Sequence, residues 1–176
     1  NEVDKRISTM ANRCLDLHNI DLEDADIPAL VEKLKAVPGI IGLNLSANYV
    51  TNEGFLKLKE AIDLKNIEVL DVGDLITPSV LKGLTNLKKL TLRMVSGTLD
   101  LAEGLDCTDL SSCTALEDLD LGINNLQRLG DLLRNLPKLR RLILDYCIFA
   151  VEELSALIYA PDLNELNLSG CHVGAR

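Results

Sequence analysis

LEDLDLGINNL, running from Leu116 to Leu126, decides the fold. Its core, Leu119-Asp120-Leu121, alternates apolar and polar, as a strand with one buried face must. The same frame, L-x-x-L-x-L-x-x-N/C-x-L, returns at Ile40–Val50 (IIGLNLSANYV) and Leu163–Val173 (LNELNLSGCHV). Weaker copies begin at Ile67 (IEVLDVGDLIT), Leu87 (LKKLTLRMVSG) and Leu139 (LRRLILDYCIF), and a degenerate first copy at Asn12 (NRCLDLHNIDL). Starts at positions 12, 40, 67, 87, 116, 139 and 163 are spaced by 28, 27, 20, 29, 23 and 24 residues. In each L-x-L the two apolar residues point inward and the middle one outward. No copy can bury its own apolar face, so the copies must stack.

These residues resemble the leucine-rich repeat family over nearly the whole chain. The resemblance implies an α/β solenoid, a horseshoe with about seven parallel strands on its concave face and helices and short turns on its convex face. The strands are expected near residues 14–18, 42–46, 69–73, 89–93, 118–122, 141–145 and 165–169 of an array spanning 14–176. The long first two repeats resemble the ribonuclease-inhibitor-like class, and shorter ones are mixed in, which makes the array irregular. Ile27, Leu30, Val31 and Leu34 have helical spacing, with Pro28 in the first turn and Pro38-Gly39 as the stop. Phe55, Leu58 and Ile62 mark a second helix, whereas Pro78 to Leu84 has room for one turn. Helical spacing returns at Leu129, Leu132, Leu133 and Leu136, and at Val151, Leu154, Leu157 and Ile158. Val3, Ile7 and Met10 predict an N-terminal capping helix over residues 1–13. The last repeat carries no such cap. The chain therefore reads as part of a longer one, or as one that self-associates through its C-terminal end.

Composition agrees. Of 176 residues 37 are leucine, against two Phe, three Tyr and no Trp, so the core is aliphatic and repetitive. The net charge of −9 opposes binding to phosphate backbones, which needs dense Lys and Arg. No apolar run reaches the roughly 18 residues of a bilayer span, so no membrane insertion is expected. The five cysteines, Cys14, Cys107, Cys113, Cys147 and Cys171, form no terminal disulfide cluster. They read as free thiols in a reducing, cytoplasmic compartment, with a Cys107–Cys113 bridge as the alternative.

Signals for an enzyme, a cofactor or a metal are absent. There is no phosphate loop, no GxSxG and no CxxC. His18 and His172 lie in the first and last strands, roughly 30 Å apart at 4.8 Å per strand. Asp21, Glu23, Asp24 and Asp26 read as a solvated turn that caps the helix opened by Pro28. The frame's N position holds Ile20, Asn48, Leu75, Val95, Asn124, Cys147 and Cys171. The family resemblance makes Asn, and Cys as its substitute, an internal ladder between turns.

The concave face is where the resemblance places a binding site. One outward column reads Lys89, Asp118, Arg141, Glu165, and the one before it Glu68, Lys88, Glu117, Arg140, so charges alternate across neighbouring strands. The middle column, Asp16, Asn44, Asp71, Thr91 and Asp120, is more acidic in its first half, where a basic protein surface could dock. The second residue after the last strand leucine is Met94, Ile123 and Tyr146 in three consecutive repeats, and Ile143 points outward mid-strand. They predict an exposed apolar stripe with Arg93, Arg141 and Asp145 beside it, unless these side chains fold back and pack. The candidate partner-binding set is Lys89, Arg93, Met94, Asp120, Ile123, Arg141, Ile143, Asp145 and Tyr146.

The resulting expectation is a non-catalytic protein–protein recognition domain, with a host-directed bacterial effector in the host cytoplasm as its sharper form. The alternative is the substrate-targeting part of a larger enzyme such as a ubiquitin ligase. A third option resembles leucine-rich GTPase-activating proteins and would need Arg93 or Arg141 as an arginine finger.

Overall fold

A computed structural model describes residues 1–95 and 104–174. Seven strands form one parallel sheet: β1 (Cys14–Asp16), β2 (Gly42–Asn44), β3 (Val69–Asp71), β4 (Lys89–Thr91), β5 (Asp118–Asp120), β6 (Arg141–Ile143) and β7 (Glu165–Asn167). Each strand pairs with the next in sequence. The register aligns the first leucine of every L-x-L, from Leu15 beside Leu43 to Leu142 beside Leu166. These leucines and their partners two residues on are buried in all repeats but the last, in one continuous core. Burying each is worth about 1.5–3 kcal/mol, and only stacking makes the burial possible.

The N-terminal cap is shorter than expected. Helix α1 spans Glu2–Ser8, capped by a reciprocal Asn1–Asp4 box, and stops five residues before Arg13. Asn12 and Arg13 both take positive φ (53° and 57°), and Ala11 bridges to Cys14. That tight turn, not more helix, drops the chain into β1. Val3, Ile7 and Met10 still pack on the core.

The convex side changes character along the array. Helix α2 (Ile27–Leu34) buries the four apolar residues whose spacing predicts it. Helix α3 (Asn52–Ala61) is capped by Thr51, whose hydroxyl accepts from the Glu53 N–H at 3.2 Å. The acidic loop does more than face solvent. Asp24 accepts from both the backbone N–H (2.8 Å) and the hydroxyl (2.5 Å) of Thr51, which ties one repeat to the helix start of the next. After Thr77 the arcs shrink to a 3₁₀ turn at Pro78–Leu81, another at Cys107–Leu110, and the five-residue helix α4 (Leu129–Leu133).

The segment Val151–Tyr159 is also 3₁₀, not α. Val151, Leu154 and Leu157 recur every third residue, the period of a 3₁₀-helix. Leu154 and Leu157 meet the core, while Val151 and Ile158 are exposed. Leu166 and Val173 of the last repeat are exposed too.

Candidate protein-binding face

Six of the seven repeats leave the sheet through one sharp corner, and the corner falls on the position that carries Met94, Ile123 and Tyr146. Their φ angles are 50°, 58° and 55°, and Asn19, Ala47 and Gly170 adopt the same left-handed conformation in their repeats. The left-handed backbone throws the side chain off the sheet edge. Tyr146 is 61% exposed and Met94 51%, while Ile123 is half-buried. Tyr146 lies across Gly170, where an added Cβ would come within 2.5 Å of the ring. The apolar stripe is thus a ledge along one edge of the concave sheet. Ile143 does not join it. It is 5% exposed, wedged at the end of β6 between the in-register Asp120 and Asn167. Concave neighbours crowd from both sides at about 4.8 Å, so an outward side chain there is not a free one.

Arg93 is held rather than offered. Its guanidinium donates to Asp120 at 2.7 Å and grips both Asp145 oxygens at 2.8 Å. The reach from one repeat to the second one on is open because residue 122 is glycine. A Cβ there would collide with the Arg93 guanidinium and the Asp145 carboxylate. The bidentate contact pushes the Arg93 pKa further up and holds the Asp145 carboxyl below the usual carboxylate range. Arg141 is likewise paired, with Asp118 at 3.1 Å and Glu165 at 3.0 Å. The charge ladder exists there, and Lys88 meets Glu68 at 3.4 Å. Lys89 is exposed and makes no ion pair among the described residues. Neither arginine is free to act as a finger.

The first half of the sheet, where the middle column predicts an acidic surface, also holds two depressions that the sequence reading missed. Gly42 interrupts the outer column between Cys14 and Val69, and a depression of about 270 Å³ lies over β1 to β4. A second, of about 370 Å³, sits beside it between Ala47, Gly73, Met94 and Ile123. Asp71 lines both. Burial pushes its carboxyl above the usual range, with Asp120 and Asp16 adding to the rise and His18 and Lys89 opposing it. Among the described residues no side chain hydrogen-bonds or ion-pairs with that carboxylate. The signal was available as a glycine at position 42 of the outer column and another at 73.

The ladder between turns is built as the resemblance implies. Asn48 donates to Leu17 O at 2.7 Å and accepts from the N–H groups of Ile20 and Leu22. Asn124 donates to Leu92 O at 2.9 Å. Cys147 and Cys171 replace it with thiols that donate to Leu121 O (3.1 Å) and Leu144 O (2.7 Å). Burial pushes the Cys147 thiol up to about 12, the opposite of what a reactive thiol needs. Cys107 and Cys113 are both free and buried. His18 Nδ1 lies 3.0 Å from the Ser46 hydroxyl. Among the described residues no group of His, Cys, Asp or Glu could hold a metal ion, and no helix is long and apolar enough to cross a membrane.

No protein-family model matches the chain, and no curated protein matches it either. Solved structures do. An internalin, InlF, from Listeria monocytogenes superposes with a TM-score of 0.64 at 19% identity, over 90% of this chain. Internalin C2 from the same organism gives 0.64 at 22% identity over 98%. TLR13, in its complex with ssRNA13, gives 0.60 at 19% identity over 92%. This chain spans 42% of the length of the first, 83% of the second and 29% of the third. The stacked strands, the Asn and Cys ladder and these likenesses together place the fold of this chain among the leucine-rich-repeat solenoids.

Proposed function

We propose that this is a non-catalytic protein-recognition domain, which takes its partner on the concave sheet and the ledge beside it. One observation carries the reading. Three successive repeats place Met94, Ile123 and Tyr146 at left-handed corners. Such a conformation costs an ordinary L-residue roughly 1–2 kcal/mol, and a β-branched residue like Ile123 is worst served by it. Asn19 and Gly170 fill the same corner with residues that tolerate it, and Ala47 fills it with a single methyl group. Met94 and Tyr146 stand largely in solvent, so burial does not offset their strain. Strain kept at a surface position points to a use for the side chain. Tyr, Met and Arg are the types that interface centres favour. The net charge of −9 argues for a protein rather than a phosphate backbone as partner. The narrower proposal, a bacterial effector in a host cell, draws its support from the likeness to two internalins.

The test is retention of partners from cytosolic extract by wild type beside Met94→Ala/Tyr146→Ala, read by mass spectrometry. A protein kept by the first and lost by the second is expected, and equal retention removes the ledge as the interface. Met94→Asn separates binding from folding. Asn suits the left-handed corner, so the melting temperature should hold or rise by about 1–3 °C while retention falls.

A further inference from the structure

We propose that Asp71 and the two depressions meeting at it form a docking groove for an extended partner segment that carries Lys or Arg between apolar side chains. This rests on the concave-face reading above and names the partner's chemistry.

Charge complementarity carries it. The other carboxylates within the seven strands are answered from within the molecule. Asp16 has Arg6 at 3.5 Å, Asp118 has Arg141, and Asp120 and Asp145 share Arg93. Among the described residues Asp71 has no partner inside ion-pair distance; its in-register neighbour on β4 is Thr91, while Lys89 pairs with Val69. A half-buried carboxylate left so is costly, and an incoming cation with an apolar shaft meets that need. Asp74, exposed on the rim of the second depression, adds to the negative field.

The shapes on either side ask for apolar groups. Toward β1 the floor is the Cys14 side chain lying over the buried Gly42, with the exposed Val69 beside it. Toward the ledge it is Gly73, Ala47 and the side chain of Met94. In an extended chain, residues i−2, i and i+2 point to one side. A cation at i and apolar groups at i±2 would reach Asp71 and both depressions together. Arg93 also lines the second depression, but its charge is already taken by Asp120 and Asp145.

The experiment titrates the whole chain with three acetylated, amidated heptapeptides of otherwise Ser and Gly residues. They carry Leu-x-Arg-x-Leu, Leu-x-Glu-x-Leu and Ser-x-Arg-x-Ser at their centres. The readout is amide NMR shifts, together with the rate at which N-ethylmaleimide modifies Cys14, the exposed thiol that lines the first depression. The first peptide should move the Gly42, Asp71 and Gly73 amides saturably and slow Cys14 alkylation, and the other two should not. Asp71→Asn should weaken it by about tenfold, and Lys89→Ala, which removes a competing cation, should tighten it. The maleimide reading uses wild type alone, so a poorly folded variant cannot decide the result. Equal binding by the Glu peptide, shifts confined to the Tyr146 ledge, or no shifts at all would each overturn the groove. A partner still retained through Met94 and Tyr146 would leave the wider recognition reading standing.

Discussion

Across β4 to β7 Asp118, Asp120, Asp145 and Glu165 are each tied to an arginine, and Gly122 opens the path by which Arg93 reaches two of them. Across β1 to β3 only Arg6, arriving from helix α1, does the same, and Asp71 is left unanswered. The two regions differ little in the number of acids. They differ in whether a long cation stands one or two strands away with a clear line to them. One half of the face is internally neutralised, with an apolar ledge at its edge. The other keeps a charge and two hollows open to an outside group. A recognition surface built this way offers apolar contact and charge at separate places.

The comparison can be broken most drastically at Leu121. It is fully buried in a core that runs through both halves, and Leu121→Asp puts an unpaired charge there. Loss of the cooperative fold is expected, at a cost above about 4 kcal/mol, seen by circular dichroism and amide exchange. Amides of β1 to β3 that stay protected would mean that the halves fold as separate units.

Arg93→Ala comes next. It leaves Asp120 and Asp145 partly buried without their cation and should destabilise by about 2 kcal/mol at pH 7, measured by urea unfolding. The sign of its pH dependence follows from Asp145. Arg93 lowers that folded-state pKa, so the stability it brings is present above the unfolded value near 4. It disappears as pH falls through the lower folded value. The gap between wild type and variant should therefore narrow on acidification.

Asp71→Asn is the smallest effect and has the opposite sign. Burial raises the Asp71 pKa, so ionising it weakens the fold as pH climbs from the unfolded value past the folded one. The variant should melt about 1–2 °C higher than wild type at pH 7 and equal to it at pH 3. A lower melting temperature at pH 7 would show that Lys89 or His18 already answers Asp71 in solution.

The stacking frame was legible because L-x-L alternation and the Asn or Cys ladder are strictly local signals. The strand leucines from Leu15 to Leu144 could be assigned to the interior without knowing any arc between them. Burial of Ile143 was not legible, because alternation tells which way a side chain points and not how closely its neighbours crowd it. Arg93 pairing was hidden for a related reason. The residue following the last strand leucine is Arg93, Gly122 and Asp145 in successive repeats, a long cation, a gap and an acid, but only the stacked geometry turns that column into a bridge. The left-handed corner had a signal too, in Asn19 and Gly170, which stand where Met94, Ile123 and Tyr146 stand elsewhere. Val151, Leu154 and Leu157 misled because period three and period 3.6 agree over so short a stretch. Nothing local marks Asp71, whose distinction is that Lys89, on the strand beside it, pairs with Val69 and makes no ion pair with it.

Neighbouring strands pair residue for residue whether 20 positions separate them, as from Val69 to Lys89, or 28, as from Cys14 to Gly42. All of that difference is taken up by the arc on the far side. The arcs therefore behave as interchangeable cassettes. Trading the α3 arc for a short 3₁₀ one would alter the outer curve while handing the same row of side chains to whatever sits inside it. Divergence in length between relatives of this chain should concentrate on the outer curve, and grafting a foreign arc there is a way to add a second surface without rewriting the first.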